Sequence, residues 1–296
     1  MMASENIGNA SNNNTLSVFM DHVKQVLSTI PPATKFALYA PFVIGITDNF
    51  LFPTLNVHWS TSAWFSLDYE QGLLKLQVFR FLLYPFATMS VLDAFITALW
   101  LIPEMYKLER KQGTLKFIWI LMSVFTVLPG LLAVIINKAL YTVWSQMFYN
   151  PSCHGMTGWV VGLIFWSYLS EDANEQDRMI AGAIRIPHQY WPALVFFFFV
   201  FLVPSSSIVL NILCAVAGYL CKYKHRHIYM CPFLLSDEKL VELEGKPILR
   251  FLTQTTNFVS VDSAGHAYLP IFNSTQEEPV STPNAPFQGQ GHRLGP

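Results

Sequence analysis

The sequence predicts an all-α membrane protein: six helices crossing a bilayer, with a polar tail behind them. Three observations carry this. Of 296 residues, 52% are hydrophobic and only 12% are charged, whereas soluble domains carry about 25% charged residues. The charges are clustered and leave long stretches nearly free of them, as spanning segments require. The mean hydropathy is positive, at +0.36. A net charge of −1 offers no electrostatic basis for a nucleic-acid partner.

Residues 1–14, MMASENIGNASNNN, have the composition of a disordered segment, and no cleavable signal peptide is expected from the polar, Asn-rich start. Residues 15–30 then place Leu16, Phe19, Val23, Val26, Leu27 and Ile30 on one helical face. That helix suits either the membrane surface or packing against the chain, and Pro31-Pro32 ends it. Apolar segments follow at 36–55, 81–102, 117–137, 155–170, 190–204 and 206–221. Pro85, Pro129, Pro192 and Pro204 interrupt or bound them; broken helices are tolerated where neighbours or a wet cavity satisfy the freed backbone. Only Pro204-Ser205 separates the last two, which predicts a tight hairpin. The expected domains are a segment over 1–33, a six-helix membrane domain over 34–222 and a tail over 223–296.

Basic residues set the expected orientation. Lys107, Arg110, Lys111 and Lys116 lie between segments two and three, and Lys222, Lys224 and Arg226 follow segment six. Both clusters fall on one side when both termini are cytosolic, as the positive-inside rule asks. The other side receives the long loop 56–80 with Trp59, Trp64 and Phe65, aromatics suited to the headgroup level. The sequons at Asn9, Asn13 and Asn273 would face the cytosol unmodified. Beyond 222, residues 236–252 suit a short helix, and the Pro, Ser, Asn, Gln and Gly content from 272 onward suits disorder. Cys153, Cys214, Cys221 and Cys231 show no zinc-binding spacing and read as free thiols. No metal or other cofactor is expected.

One stretch carries the functional question: CHGMTGWVVGLI, residues 153–164, where a Gly-x-Thr-Gly turn runs into a glycine-spaced apolar helix. With LQVFRFLLYPF (76–86), ERKQGTLKF (109–117) and IPHQYWPALV…VPSSS (186–207), its order and spacing resemble the rhomboid family of intramembrane serine proteases, specifically the fungal rhomboid-two branch. The resemblance covers about residues 70–222 and implies a six-transmembrane-helix rhomboid-like bundle. It puts the nucleophile at Thr157 and the general base on the sixth helix, in a His-x-x-Gly-x-x-x-Gly pattern. Here that helix reads NILCAVAG, with Asn211 for the histidine and Cys214 for the first glycine. The family's oxyanion-binding His and Asn fall at Asp93 and Thr97. A hydroxyl needs a base to take its proton, and Asn cannot serve near neutral pH. A carboxylate repels a developing oxyanion unless it is protonated. Thr157, Asn211, Asp93 and Thr97 are therefore degenerate positions, and no catalytic residue is expected.

Gly155, Gly158, Gly162 and Gly218 are expected to serve helix packing, with Ala217 beside Gly218, because small residues four apart let helices approach closely. His154 reads as a polar loop histidine, and His58, His188, His225 and His227 as solvated loop residues. Asp48 and Asp93 are costly in a membrane and mark a cavity or a paired site. For Asp93 this means either a wet former active-site cavity or a polar notch that admits polar membrane segments.

The last ten residues, FQGQGHRLGP, carry Phe287, Gly289, Gly291, Leu294 and Gly295 in the spacing of the SHP box. This resembles the linear motif that binds the amino-terminal domain of valosin-containing protein, an AAA+ segregase. Derlins look like rhomboids without the dyad and commonly carry the same box; their Trp-Arg pair before helix two is Phe79-Arg80 here. The resulting expectation is a pseudoprotease of the endoplasmic reticulum or Golgi, with partners in the segregase, membrane-protein clients and the lipid bilayer. It would act in extraction or quality control of an ERAD-like kind. The alternatives are an active serine/threonine endopeptidase using Thr157, and a regulator that escorts clients without a segregase.

Overall fold

The structure is a computed structural model, and it describes residues 28–144, 152–170, 178–180, 184–187, 190–203, 206–223, 235–255 and 257–264. The amphipathic pattern of 15–30 lies almost wholly outside these residues. So do His188, His225, His227, Cys231 and the motif at 287–295.

All six apolar segments form helices. The first, α1, spans Pro32–Thr54, with a wider turn at Thr47–Leu51. Proline suits its start, since the first amides of a helix have no partner inside it. The next two amides do find one: Ala33 N and Thr34 N donate to the Glu109 carboxylate at 3.0 and 2.9 Å, and the Thr34 hydroxyl adds a third bond at 2.7 Å. Glu109 is fully buried. One acid thus caps a helix lying 75 residues away in sequence and complements its dipole.

The loop 56–80 is pinned rather than loose. Asp48 accepts from Ser60 Oγ, Thr61 N and Ser62 N at 3.1, 2.9 and 2.7 Å, which caps the short helix α2, Thr61–Phe65. The sequence marks Asp48 as paired or cavity-lining; its partners turn out to be two backbone amides and the Ser60 hydroxyl. Buried Arg80 donates to Gln77 Oε1 and to the Ser66 and Ala63 carbonyls at 2.6, 2.6 and 3.3 Å. These anchors hold Trp59, Trp64 and Phe79 against one another, with ring centroids 4.9–5.9 Å apart.

The second apolar segment starts later than its composition suggests. A short helix α3, Arg80–Phe86, meets α4, Val91–Gln112, at a 94° bend. Pro85 cannot extend a helix, and the Ser90 side chain accepts from Leu92 N to begin the next one. Gly113, with φ +85, turns the chain into α5, Thr114–Val143. Midway, Ser123–Val127 winds wider, because Pro129 lacks an amide proton; the Thr126 hydroxyl bonds Leu121 O at 2.8 Å across that turn. The remaining apolar helices are α6, Thr157–Ser170, α7, Trp191–Leu202, and α8, Ile208–Tyr223. Between α6 and α7 two short strands, β1 (Arg178–Ile180) and β2 (Ile184–Ile186), pair antiparallel, a small departure from the all-α expectation in a connecting loop.

By length and composition α1 and α5 can each cross a membrane, and the count reaches three if the bent α3–α4 pair is taken as one span rather than a re-entrant loop. The other three apolar helices are shorter. The core runs between them, with Leu101, Phe117, Phe125, Trp159, Leu163 and Phe199 buried in one cluster. The closest pairing is α6 on α8. A Cβ on Gly158 would stand 2.9 Å from Cys214 Sγ, one on Gly162 2.6 Å from the Phe125 ring, and one on Gly218 2.2 Å from the Gly162 carbonyl. Gly155 differs from these three. A Cβ there has open space, with only Ala87 O at 3.9 Å, and what the turn uses is its φ of +82. Its role is conformational, not packing.

After α8 the chain folds back onto the α4–α5 turn. Here lie α9, Asp237–Glu244, and α10, Arg250–Thr253, so the stretch read as one short helix is two with a single turn between. Thr114 N donates to Val259 O at 2.8 Å, Val259 N returns to Thr114 Oγ1 at 3.2 Å, and Lys116 meets Asp237 at 2.7 Å. Val261 packs over Gly113, where a Cβ would lie 2.9 Å from its Cα.

Candidate functional site

Thr157 opens α6, at the end of the turn Cys153–Met156. Two backbone links hold that turn. Leu67 and Cys153 exchange N–H···O bonds at 2.9 and 2.7 Å, and Gly155 N donates to Tyr84 O at 3.1 Å. Below it, Trp159 Nε1 bonds Thr126 Oγ1 at 3.0 Å, and Tyr84 Oη bonds Thr126 O at 3.0 Å. The long loop, α3 and α5 therefore all fix where Thr157 sits.

Thr157 lines a small cleft, with room for about one water molecule, together with Thr88, Asp93, Thr97, His154 and Ser206. Three of the four positions singled out by the family pattern thus share one cleft. Asn211 lies beneath it, fully buried, and its amide donates to Ser206 Oγ at 3.1 Å. Neither Thr157 Oγ1 nor Asn211 Oδ1 has a hydrogen-bond partner, although both are buried. The Thr97 hydroxyl turns back on its own helix, to Asp93 O at 2.7 Å and Ala94 O at 3.1 Å. It therefore presents no proton to an oxyanion. Among the described residues no cluster of His, Cys, Asp and Glu could hold a metal ion.

His154 corrects the sequence reading. It is 5% exposed and lines the same cleft as Thr157; the glycine after it carries the left-handed turn that folds it inward. His58 stays exposed. Ser206, Thr88 and His154 were missed as cleft residues, because the contact comes from four separate elements. Only the VPSSS run hinted at Ser206.

Cys153 and Cys214 flank the turn from below. Asn137 Nδ2 lies 3.4 Å from Cys153 Sγ and 3.2 Å from Ser207 Oγ. Burial pushes the Cys153 thiol up to about 12 against the lowering effect of Ser207 and Asn137, so it remains protonated at any working pH. Maleimide in mild detergent at pH 7.5 should label Cys221, which is partly exposed, well before Cys153 or Cys214. Equal labelling of all three, read by peptide mass spectrometry, would contradict this packing.

Residues 75–227 match the rhomboid domain. The chain belongs to the rhomboid family. It is similar to rhomboid-type serine protease 2 of Eremothecium gossypii, at 25% identity over 233 residues, covering 76% of this chain and 82% of that one. The protein of the same name in Gibberella zeae is 22% identical over 275 residues, 92% of this chain and 95% of the relative. Rhomboid-type serine protease B of Aspergillus fumigatus is 23% identical over 267 residues, 88% of this chain and 92% of the relative. No solved structure matches. Family membership together with the apolar helices makes this rhomboid an integral membrane protein.

Proposed function

We propose that this rhomboid is a pseudoprotease and a membrane adaptor. It binds membrane clients through its helical domain and brings the AAA+ segregase valosin-containing protein to them through residues 287–295. The proposed setting is the endoplasmic reticulum or Golgi, with six spans over 34–222 and both termini cytosolic. One observation supports the loss of chemistry most. Asn211 stands where the family keeps its base, buried with its amide committed to Ser206, and Thr157 Oγ1 has no partner to take its proton. The short helices fit a binding role. At 1.5 Å per residue, the 12 residues of α7 and 14 of α6 reach only about 18 and 21 Å, against a hydrocarbon core of about 30 Å. Such mismatch thins the bilayer locally, which lowers the barrier for a client being withdrawn.

A second reading is an active endopeptidase. It is favoured by the relatives' printed names and by His154 lining the cleft with Thr157. Two measurements separate the readings. Tagged full chain and its Phe287→Ala/Leu294→Ala variant are solubilised in mild detergent, and segregase recovery is compared. The adaptor requires recovery from the parent and its loss in the variant. Equal recovery, or none from either, removes the tail's role. Client cleavage that Thr157→Ala abolishes would instead establish the protease.

A further inference from the structure

We infer that the loop 245–258 is a lipid anchor: Phe251 enters the leaflet at the α4–α5 turn, with Arg250 at the lipid phosphates beside it. The inference rests on membrane insertion of the helical domain and not on the adaptor reading. It begins from an aromatic side chain that the fold leaves uncovered. Phe251 is 75% exposed, in the short helix α10, Arg250–Thr253. The loop around it reads GKPILRFLTQTTNF, with two basic residues and no acid. Lys246, Pro247 and Arg250 are exposed with Phe251, whereas Leu249 and Leu252 are half-buried. An apolar tip flanked by cations suits the boundary between acyl chains and anionic headgroups.

What covers Phe251 follows from where the loop is held. α9 packs against the first turns of α5, with Leu240 buried and Asp237 on Lys116 at 2.7 Å. α5 can cross a membrane by length and composition. Its Trp119, 40% exposed, lies about 8 Å inward from Thr114, and tryptophan favours the headgroup level. The loop leaves from Glu244 and returns to it. Val261 N donates to Glu244 Oε1 at 3.0 Å, and Thr114 N donates to Val259 O at 2.8 Å. Both stems are thus pinned at the start of a spanning helix, with Phe251 midway between them in sequence. The bilayer is the apolar medium at that level. The acids of α9 do not oppose the approach, since Asp237 meets Lys116, Glu242 meets Lys246 at 3.7 Å and Glu244 holds Val261 N. The loop backbone is also prepared for it. Leu249 N, Gln254 N and Thr255 N donate to Lys246 O, Arg250 O and Leu252 O at 3.1, 3.0 and 3.1 Å, so these amides need no water.

The test uses the full chain in nanodiscs of phosphatidylcholine and phosphatidylserine. In a Cys221→Ser/Cys231→Ser background, a nitroxide is placed on Phe251→Cys or, as the control, on Asp262→Cys. Oxygen concentrates in lipid and a nickel chelate stays in water. Oxygen should therefore relax the label at 251 more strongly than the chelate does, and the order should reverse at 262. A stronger chelate effect at 251 would leave the loop in water, and weak relaxation by both reagents would mean that a protein segment covers it. Either result overturns the anchor. Trypsin then reads the unlabelled chain, with rates normalised to peptides of the same sequence. Cleavage after Arg250 should be about tenfold faster in Phe251→Ser than in the parent, because burying a phenylalanine side chain shifts the docked population by at least that factor. Phe251→Leu should stay near the parent. Phe251 touches little of the protein, so both variants should melt as the parent does. Equal cutting of the parent and Phe251→Ser would also overturn the anchor. Segregase recovery is read separately, so failure here leaves the adaptor reading standing, and loss of recovery leaves the anchor standing.

Discussion

Gly218→Val should leave this rhomboid unable to hold its fold in detergent. The added Cβ would stand 2.2 Å from the Gly162 carbonyl oxygen and 3.0 Å from the Phe165 Cβ. Backbone cannot yield as a flexible side chain does, so α6 and α8 must separate. Overpacking usually costs about 1–3 kcal/mol, occasionally more; a clash with backbone belongs at the top of that range or above it. Total stability is only about 5–15 kcal/mol for a domain. The expected result is loss of the monodisperse peak on size exclusion and a broad, early melt by tryptophan fluorescence. Gly245→Ala is the control, because its nearest neighbour is Glu242 O at an ordinary 3.5 Å. A Gly218→Val protein as monodisperse and heat-resistant as the parent would mean these helices do not meet at that residue.

Glu109→Ala should be the second large loss, through a different cause. Three donors, Ala33 N, Thr34 N and Thr34 Oγ1, end on its two oxygens. Hydrogen bonds to charged groups contribute about 1.5–3 kcal/mol, and a donor left buried without a partner costs more than the bond contributed. The expected destabilisation is about 3 kcal/mol, and early cleavage near residue 33 in limited proteolysis should accompany it. Glu109→Gln should lose less, since one amide oxygen can still accept while its NH2 faces the remaining donors. An unaltered melt and digest for Glu109→Ala would show that α1 is not held by this acid.

Both predictions concern residues whose importance the sequence discloses unequally. The glycine spacing in α6 was legible, because small residues at four-residue intervals have few other uses in an apolar helix. That Gly158 meets Cys214 was not, since cysteine has no such signature. The six helices were legible from apolar run length, whereas the bend at Pro85–Ser90 shifted the second by ten residues because composition does not register a cap. Glu109 looked like one charge among several in a basic turn; only the fold brings it to Pro32. At the cleft, Asp93, Thr97 and Thr157 could be named from the family pattern. His154 could not, as its burial follows from the left-handed turn at Gly155 and the Leu67–Cys153 link.

The fold-back of residues 237–264 onto the α4–α5 turn sets where a mechanical load would be borne. Anything drawing on the chain beyond residue 264 pulls first on the Thr114–Val259 pair and the Lys116–Asp237 contact, not on α8. These few bonds act in series with the α6–α8 pair, which meets over a much larger contact, so they serve as a fuse. Tension opens the stitch at Gly113 and leaves the helix that carries Asn211 unloaded until roughly forty residues have paid out at about 3.3 Å each.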